Sequence, residues 1–166
     1  MDDLVSRALD LSEVQGAGSA DIRMVRTTQE RSSVRSGVVD TLSVDESLGF
    51  GVRVLVNGCW GFASSHDITD REVDRVTALA VNIAKASSVL SKGSVNLGPP
   101  VISRGAYTTP IEEDPFTISS DHKLALLMDA DQRMASVKGI RSRQGNLVFI
   151  KEEKTFANSE GAHVEQ

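Results

Sequence analysis

The sequence predicts an α+β fold in which helices pack on one face of antiparallel sheets. Three observations lead to this class. Apolar and polar residues alternate through much of residues 20–56, which is the period of a half-buried strand. An Asn-Gly pair at 57–58 lies between two such runs. Apolar residues recur at helical spacing in three other segments, starting near residues 2, 70 and 120.

The first helix is predicted over residues 2–15. Leu4, Ala8 and Leu11 lie on one stripe of this segment, and acidic residues stand near its amino end, where the helix dipole favours them. Gly16 and Gly18 follow and are expected to end it.

Strands are predicted next, over residues 20–28, 30–35 and 38–45. A hairpin over residues 49–65 follows, because Asn57-Gly58 suits a type I′ turn, which needs positive φ at both central residues. Val52, Val54 and Val56 fall on one face of its first strand, opposite Arg53 and Leu55. Together these segments predict a sheet of about four or five strands.

A second helix is predicted from Thr69 to about Leu90. Thr69 and Glu72 have the spacing of a capping box, in which each side chain satisfies a backbone amide near the other. An apolar stripe at helical spacing follows the cap and comprises Val73, Val76, Ala80, Ile83 and Ala84.

The remaining sequence predicts a linker and the start of a second subdomain. Residues 91–115 contain all four prolines, which disfavour a helix. After the linker, Ser119 or Ser120 is expected to cap a third helix, with a stripe of Leu124, Leu127, Met128, Asp131 and Met134. A Gly145-Asn146 turn then predicts a second hairpin between strands 140–144 and 147–157, followed by a turn at 158–161. The predicted organisation is therefore a subdomain over 1–92, a linker over 93–115 and a second, truncated subdomain over 116–166.

Composition excludes some classes of partner. The net charge of −5 argues against nucleic acid, which binds basic surfaces. No apolar run approaches the ~20 residues that a membrane helix needs. The single cysteine, Cys59, cannot form an internal disulfide, which fits a reducing cytoplasm. We therefore expect a cytoplasmic protein without a membrane or nucleic-acid partner.

No residue pattern predicts a complete catalytic or metal site. His66, His122 and His163 are widely separated, and none has a second ligand at the spacing of zinc sites. Cys59 has no neighbouring base or cation in sequence that would activate it. The Ser-Ser-His-Asp run at 64–67 cannot form a triad, because consecutive residues of an extended chain point in alternate directions. We therefore predict no catalytic residue and no metal ligand in this chain.

Three hairpin residues are candidates for a contact surface. Trp60 and Phe62 point to the same side of their strand, and they either pack in the core or form an apolar wall for a peptide or a partner subunit. Arg53, on the paired strand, forms either an interstrand salt bridge or a contact with a buried carboxylate or a substrate terminus.

Four segments resemble the amino-terminal region of the TldD/PmbA family, whose members are historically called modulators of DNA gyrase and are regarded as metallopeptidases. Two lie in the hairpin: Gly-x-Gly-Val-Arg-Val at 49–54 and Gly-x-Trp-Gly-Phe-Ala-Ser at 58–64. The others are Ala-Asp-Ile-Arg at 20–23 with Arg-Ser-Gly-Val-Val at 35–39, and Lys-Thr-Phe-Ala-Asn-Ser-Glu-Gly at 154–161. They occur in the order of the family.

The resemblance implies a zinc-dependent peptidase that acts on unfolded or modified peptides. The family's zinc motif, His-Glu-x-x-x-His, is not present here, since no histidine is followed by glutamate. We therefore expect the chain to be roughly the front third of a longer enzyme, with zinc in the remaining part and no activity in this part alone. Its expected role is the wall of a substrate channel and contacts in a homo- or heterodimer. The alternative is a non-catalytic binding or assembly subunit of a peptidase complex.

Overall fold

The computed structural model describes residues 2–91, 93–100 and 102–166, which form a mixed α+β fold. The α-helices are α1 (Asp2–Val14), α2 (Asp70–Leu90) and α3 (Ser120–Ala135), and a short 3-10 helix covers Pro115–Thr117. The strands are β1 (Ser19–Arg35), β2 (Val38–Val56), β3 (Cys59–Ser65), β4 (Arg104–Ala106), β5 (Gln144–Asn158) and β6 (His163–Glu165). They form one sheet in the order β3-β2-β1-β5-β6-β4. The predicted fold class is confirmed.

The strands are fewer and longer than the sequence predicts. β1 joins the two strands predicted at 20–28 and 30–35, and β2 joins 38–45 to the first strand of the hairpin. The predicted breaks fall on polar residues such as Thr28 and Gln29, which lie half-buried within β1. Polar side chains therefore occupy the sheet surface here instead of marking turns.

Two further predictions about strands are wrong. Gly145 and Asn146 lie inside β5, and neither has the positive φ that a type I′ turn needs, so they do not form a hairpin. Residues 140–143 lie outside the strands. The sheet is also not purely antiparallel, because β4 pairs with β6 in parallel.

Both tight turns of the first half have positive φ at their two central residues. Asn57 and Gly58 have φ of 49° and 74°, and Ser36 and Gly37 have φ of 49° and 84°. Positive φ at both central residues is the signature of type I′ turns. The Asn-Gly hairpin is therefore confirmed, with β2 and β3 antiparallel from the pair Val56 and Cys59 to the pair Phe50 and Ser65.

The described chain divides into two compact units. The first contains residues up to Arg26, Leu48–Thr108 and Glu153–Gln166, and the second contains Thr27–Ser47 and Thr109–Glu152. The units are discontinuous along the chain, unlike the predicted division at 1–92, 93–115 and 116–166. Compactness does not establish which segments fold independently, so that division stays a prediction.

The core of the first unit lies between the sheet and helices α1 and α2. Val52, Val54 and Val56, which were predicted to share one face of their strand, all point into it. So do four of the five residues in the predicted stripe of α2, whereas Ile83 is exposed. The other main members of the core are Val5, Ala8, Ala20, Ile22, Met24, Phe50, Ala63, Val81 and Ala157.

Helix α2 starts at the predicted cap. The Thr69 hydroxyl accepts a hydrogen bond from the backbone N–H of Glu72, at 3.3 Å. The Glu72 carboxylate does not complete a capping box. It accepts two hydrogen bonds from Arg75, at 2.6 and 2.8 Å, since the guanidinium one turn along the helix provides a charged partner.

In the second unit, α3 starts after Ser119, whose hydroxyl accepts a hydrogen bond from the His122 N–H. Of its predicted stripe, Leu127 and Asp131 are buried, and Lys123 is buried beside them. The Lys123 ammonium donates to the Glu30 carboxylate of β1 at 2.6 Å, and both side chains are more than nine-tenths buried. A paired lysine therefore replaces part of the apolar stripe that periodicity predicts.

Candidate functional site

The candidate site is the outer face of the first unit's sheet, which we define as the face opposite the core. Arg53 stands directly across from Phe62, and Leu55 stands across from Trp60. Phe62 is 57% exposed, and Trp60 is half-buried. Neither aromatic residue belongs to the core cluster. Both side chains are therefore available at the surface of the hairpin.

Gly51 provides the space in which the Phe62 ring lies. A Cβ placed on Gly51 would stand 2.8 Å from a carbon of that ring, which is closer than real Cβ contacts. An aromatic ring packed over a glycine of the neighbouring strand also shields the exposed glycine backbone. Gly51 thus fixes the position of an exposed aromatic side chain.

Arg53 forms an interstrand salt bridge. Its Nε and Nη2 atoms donate to one carboxylate oxygen of Asp21 on β1, at 2.7 and 2.6 Å. Its guanidinium also lies over the Trp60 ring, 4.5 Å from the centroid. The planar guanidinium can satisfy both contacts at once, because it hydrogen-bonds in its plane and stacks through its face.

The same carboxylate links Arg53 to a second arginine. Arg23 Nε lies 3.7 Å from the other oxygen of Asp21, and the Arg23 guanidinium lies 5.4 Å from the centroid of Phe156 on β5. We call Trp60, Arg53, Asp21, Arg23 and Phe156 the arginine–aromatic row. It crosses four adjacent strands, β3, β2, β1 and β5.

The charge of this row is unbalanced. Asp21 is 10% exposed, whereas Arg53 and Arg23 are 43% and 53% exposed. Two guanidiniums against one carboxylate leave a net charge of +1 on a chain whose total charge is −5. The row therefore offers flat apolar rings with accessible cationic groups between them.

Sequence reasoning identified Arg53, Trp60 and Phe62 but missed Asp21, Arg23 and Phe156. The alternating Asp-Ile-Arg in β1 was a signal, because it places an acidic and a basic side chain on one face of a strand. No comparable sequence pattern indicated that β5 contributes Phe156 to the row. Its position beside β1 depends on the strand order, which periodicity does not reveal.

The loop after β3, which contains the Ser-Ser-His-Asp run, supports the start of α2. Ser65 Oγ accepts a hydrogen bond from the Asp67 N–H at 3.2 Å. The pKa of Glu72 is lowered to about 2, mainly by the side-chain hydrogen bond with Arg75 and then by one with Ser65. The loop therefore contributes to the electrostatics of a helix end.

A groove of about 550 Å³ lies beside the beginning of β3. The end of α2 and the segment that follows it form its other wall. The lining residues are Gly58, Cys59, Trp60, Ser87, Ser91, Gly93, Ser94 and Val95. The Val95 N–H donates to the Gly58 carbonyl at 2.9 Å. A Cβ on Gly58 would stand 2.2 Å from Ser94 Oγ, so glycine is needed here for space as well as for positive φ.

Within residues 2–91, 93–100 and 102–166, no three His, Cys, Asp or Glu side chains lie close enough together to hold a metal ion. These residues therefore do not fit the zinc site that the resemblance implies. In that part of the chain, no helix has both the length and the apolar character required to cross a bilayer.

The chain is similar to metallopeptidases in sequence. Residues 20–84 match the family description "PmbA/TldA metallopeptidase domain 1". A metalloprotease of Methanothermobacter thermautotrophicus is 30% identical over 146 residues, which is 88% of this chain and 31% of that protein. A metalloprotease of Methanocaldococcus jannaschii is 24% identical over 88% of this chain and 32% of its own length. The chain thus spans about a third of the length of these relatives.

Solved structures share the fold. TldE from Thermococcus kodakarensis superposes with a TM-score of 0.75 at 16% identity, over 98% of this chain and 36% of that protein. A proposed modulator of DNA gyrase from Bacteroides thetaiotaomicron gives a TM-score of 0.79 at 16% identity, over 99% and 38%. These structures share the fold, whereas the matched domain, the metalloprotease relatives and the hairpin motifs support the assignment of the chain to the amino-terminal region of the TldD/PmbA family.

Proposed function

We propose that this chain is the amino-terminal, non-catalytic part of a TldD/PmbA-like metallopeptidase that acts on peptides. In this proposal its outer face forms part of the wall of a substrate channel and contributes to subunit contacts. The sequence relatives are metalloproteases, which supports the reaction class. The described residues offer no metal-binding cluster, which supports a role outside the chemical step.

The observation that carries the proposal is the arginine–aromatic row. Tryptophan, other aromatic residues and arginine are the side chains that contribute most to binding energy at protein interfaces. Here they are held in place by a sheet and by the Asp21 salt bridge. Because their positions are fixed before binding, little conformational entropy is lost when a partner covers them.

The wider assembly follows from the same proposal. The substrate is a peptide or an unfolded protein, and the partner is a related subunit in a homo- or heterodimer. Zinc is held by the polypeptide that makes up the remaining two thirds of the relatives' length. A cytoplasmic location, without a membrane or nucleic-acid partner, completes the proposal.

The proposal is tested with the purified chain, added zinc and a fluorescently labelled unfolded protein, reduced and carboxymethylated α-lactalbumin. We expect binding, measured by fluorescence anisotropy, and no cleavage, measured by mass spectrometry. The double variant Trp60→Ala/Phe62→Ala should weaken binding at least tenfold, since loss of one interface anchor costs about 2 kcal/mol or more.

The matched control is Leu79→Ala, which removes an exposed apolar side chain from α2, away from the outer face. It should leave binding unchanged. Zinc-dependent cleavage by this chain would contradict the non-catalytic role. Equal affinities of the wild-type chain and the double variant would contradict the role of the outer face.

A second candidate function is a protein-binding or assembly subunit that never turns over substrate. The composition of the arginine–aromatic row favours it, because protein partners recognise such surfaces as readily as peptides do. Reading the gene beyond the codon for Gln166 separates the two candidates. A His-Glu-x-x-x-His motif there supports the peptidase, and its absence from the rest of the gene supports the assembly subunit.

A further inference from the structure

We propose that Arg23 binds a carboxylate, so that the outer face selects peptides with an acidic residue between two apolar residues. This inference rests on the proposed function, because it specifies the substrate class for the same face. It gives the two guanidiniums of the arginine–aromatic row separate roles. Arg53 holds the row together, and Arg23 recognises the ligand.

The two arginines differ in how they use their hydrogen-bond donors. Arg53 donates to Asp21 through Nε and Nη2, at 2.7 and 2.6 Å. Arg23 Nε lies 3.7 Å from the other oxygen of Asp21, which is too far for a hydrogen bond. The Arg23 guanidinium forms no hydrogen bond with another described residue, and its side chain is 53% exposed. Because a guanidinium carries five N–H donors, Arg23 presents several of them to a ligand.

The orientation of the Arg23 guanidinium is nevertheless restricted. The ring of Phe156 lies on one side of it, with the centroid 5.4 Å away. Asp21, which is 10% exposed, attracts its Nε atom. A planar fork that is already held by a ring and a carboxylate loses little conformational entropy when it binds.

The charge of the row indicates which group the ligand carries. Asp21 is already neutralised by Arg53, so its charge does not repel an anion as strongly as a free carboxylate would. The two guanidiniums leave a net charge of +1, which one carboxylate balances. A phosphate carries −1.5 to −2 near pH 7 and would exceed it. A carboxylate also accepts two parallel N–H bonds from a guanidinium, which makes this contact specific.

The width of the row predicts the spacing of the peptide. Trp60 and Phe156 lie on the outermost of four adjacent strands, β3 and β5. Strands lie about 4.8 Å apart, so the two backbones are about 14 Å apart. An extended peptide advances about 3.3 Å per residue, and every second side chain points to the same side. Apolar residues four positions apart therefore reach the two rings, and the residue midway between them faces the guanidiniums.

This arrangement favours an acidic side chain within a peptide over two other ligands. A terminal carboxylate would leave one of the two rings without a partner. A nucleic acid would need to stack its bases, but Arg53 covers a face of Trp60 and Arg23 lies against Phe156. The peptide crosses the strands and is recognised through its side chains, so no strand edge takes part.

The test compares two pentapeptides, acetyl-Phe-Ser-Glu-Ser-Phe-amide and the same peptide with Gln in place of Glu. Both are titrated into the purified chain, and NMR chemical shifts give the dissociation constants. We expect the Glu peptide to bind at least about tenfold more tightly, because hydrogen bonds between charged groups are stronger than those to a neutral amide. The Nε–Hε signal of Arg23 should shift with the Glu peptide and report the contact directly.

The variant Arg23→Gln removes the proposed donor group and should abolish the difference between the two peptides. The matched control is Arg71→Gln, which makes the same change of charge at an exposed position of α2, on the core side of the sheet. It should retain the preference for Glu. Should Arg23→Gln fail to fold, the two affinities of the wild-type chain still decide the question.

Four outcomes would overturn the inference. Equal affinities of the wild-type chain for the two peptides would show that no acidic residue is recognised, and so would binding of neither. Equal binding of the Glu peptide by Arg23→Gln would assign the carboxylate to another cation. Tighter binding of the Gln peptide with a free terminal carboxylate would show that a chain end is the ligand. Tighter binding of a single-stranded oligonucleotide would replace the peptide. Loss of binding to unfolded α-lactalbumin by the wild-type chain is a separate result, and it would contradict the proposed function.

Discussion

The contact between Gly61 and α2 gives the sharpest stability prediction. In the variant Gly61→Ala, the new Cβ would stand 2.0 Å from the Ala80 carbonyl oxygen, 2.7 Å from the Ala84 nitrogen and 2.9 Å from the Ala84 Cβ. Two of these atoms belong to the helix backbone, so a side-chain rotation cannot relieve the overlap. The helix itself has to retreat from β3.

The size of the effect follows from the shortest distance. Ordinary contact begins at 3.4 Å, so the helix must retreat by about 1.4 Å at Ala80, the difference between 3.4 and 2.0 Å. Overpacking a core costs typically 1–3 kcal/mol, occasionally more. Because the helix backbone has to move, we expect at least about 3 kcal/mol. This corresponds to a fall in Tm of roughly 6–12 °C for a chain of this length.

Urea denaturation and thermal unfolding, both followed by circular dichroism, measure this effect. The control is Gly18→Ala, where the nearest atom to a new Cβ is the Leu55 carbonyl oxygen at 3.8 Å. Its stability should lie within about 0.5 kcal/mol of the wild type or rise slightly. If the free energy of unfolding of Gly61→Ala lies within about 0.5 kcal/mol of the wild-type value, the packing argument is wrong.

Three further predictions concern ion pairs. Lys123→Met leaves the buried Glu30 carboxylate without its ammonium partner and should cost about 3–5 kcal/mol in urea denaturation, whereas adding Glu30→Met should recover most of the loss. The pKa of Glu72 is lowered from 4.5 to about 2, so its ionised carboxylate stabilises the folded state. This contribution to stability is complete above pH 4.5 and is lost as the pH falls through about 2. Glu72→Gln should therefore lower Tm at pH 7 but not near pH 2, and an equal loss at both would refute this assignment. Arg53→Lys removes the planar guanidinium from the Trp60 ring. Because Trp60 is the only tryptophan of the chain, its fluorescence emission should change while the far-ultraviolet circular dichroism stays the same. An unaltered emission spectrum would contradict the stacking.

Local signals in the sequence predicted local structure well. The Asn57-Gly58 turn depends on the φ preferences of two adjacent residues, so two letters were enough to predict it. The starts of α2 and α3 depend on Thr69 and Ser119, whose hydroxyls cap the first turn as expected. In each case the stabilising contact lies within three residues in sequence.

Features that depend on distant contacts were not predicted. The polar stretch around Thr28 predicts a break between two strands, although the neighbouring strands keep β1 extended there. The predicted stripe of α3 does not include Lys123, because the burial of this lysine requires Glu30, which lies 93 residues away. The arginine–aromatic row likewise needs Phe156 beside β1. Periodicity reports which side of an element is buried but not which element covers it.

The strands β1, β2 and β5 each pass from one compact unit into the other. Neither unit can therefore be isolated by a single cut, because the segments of each unit are joined along the chain through segments of the other. When one unit unfolds, β1, β2 and β5 lose the pairing of one half, and the other half of each strand belongs to the second unit. We expect the two units to melt in a single cooperative transition, so that calorimetry shows one peak.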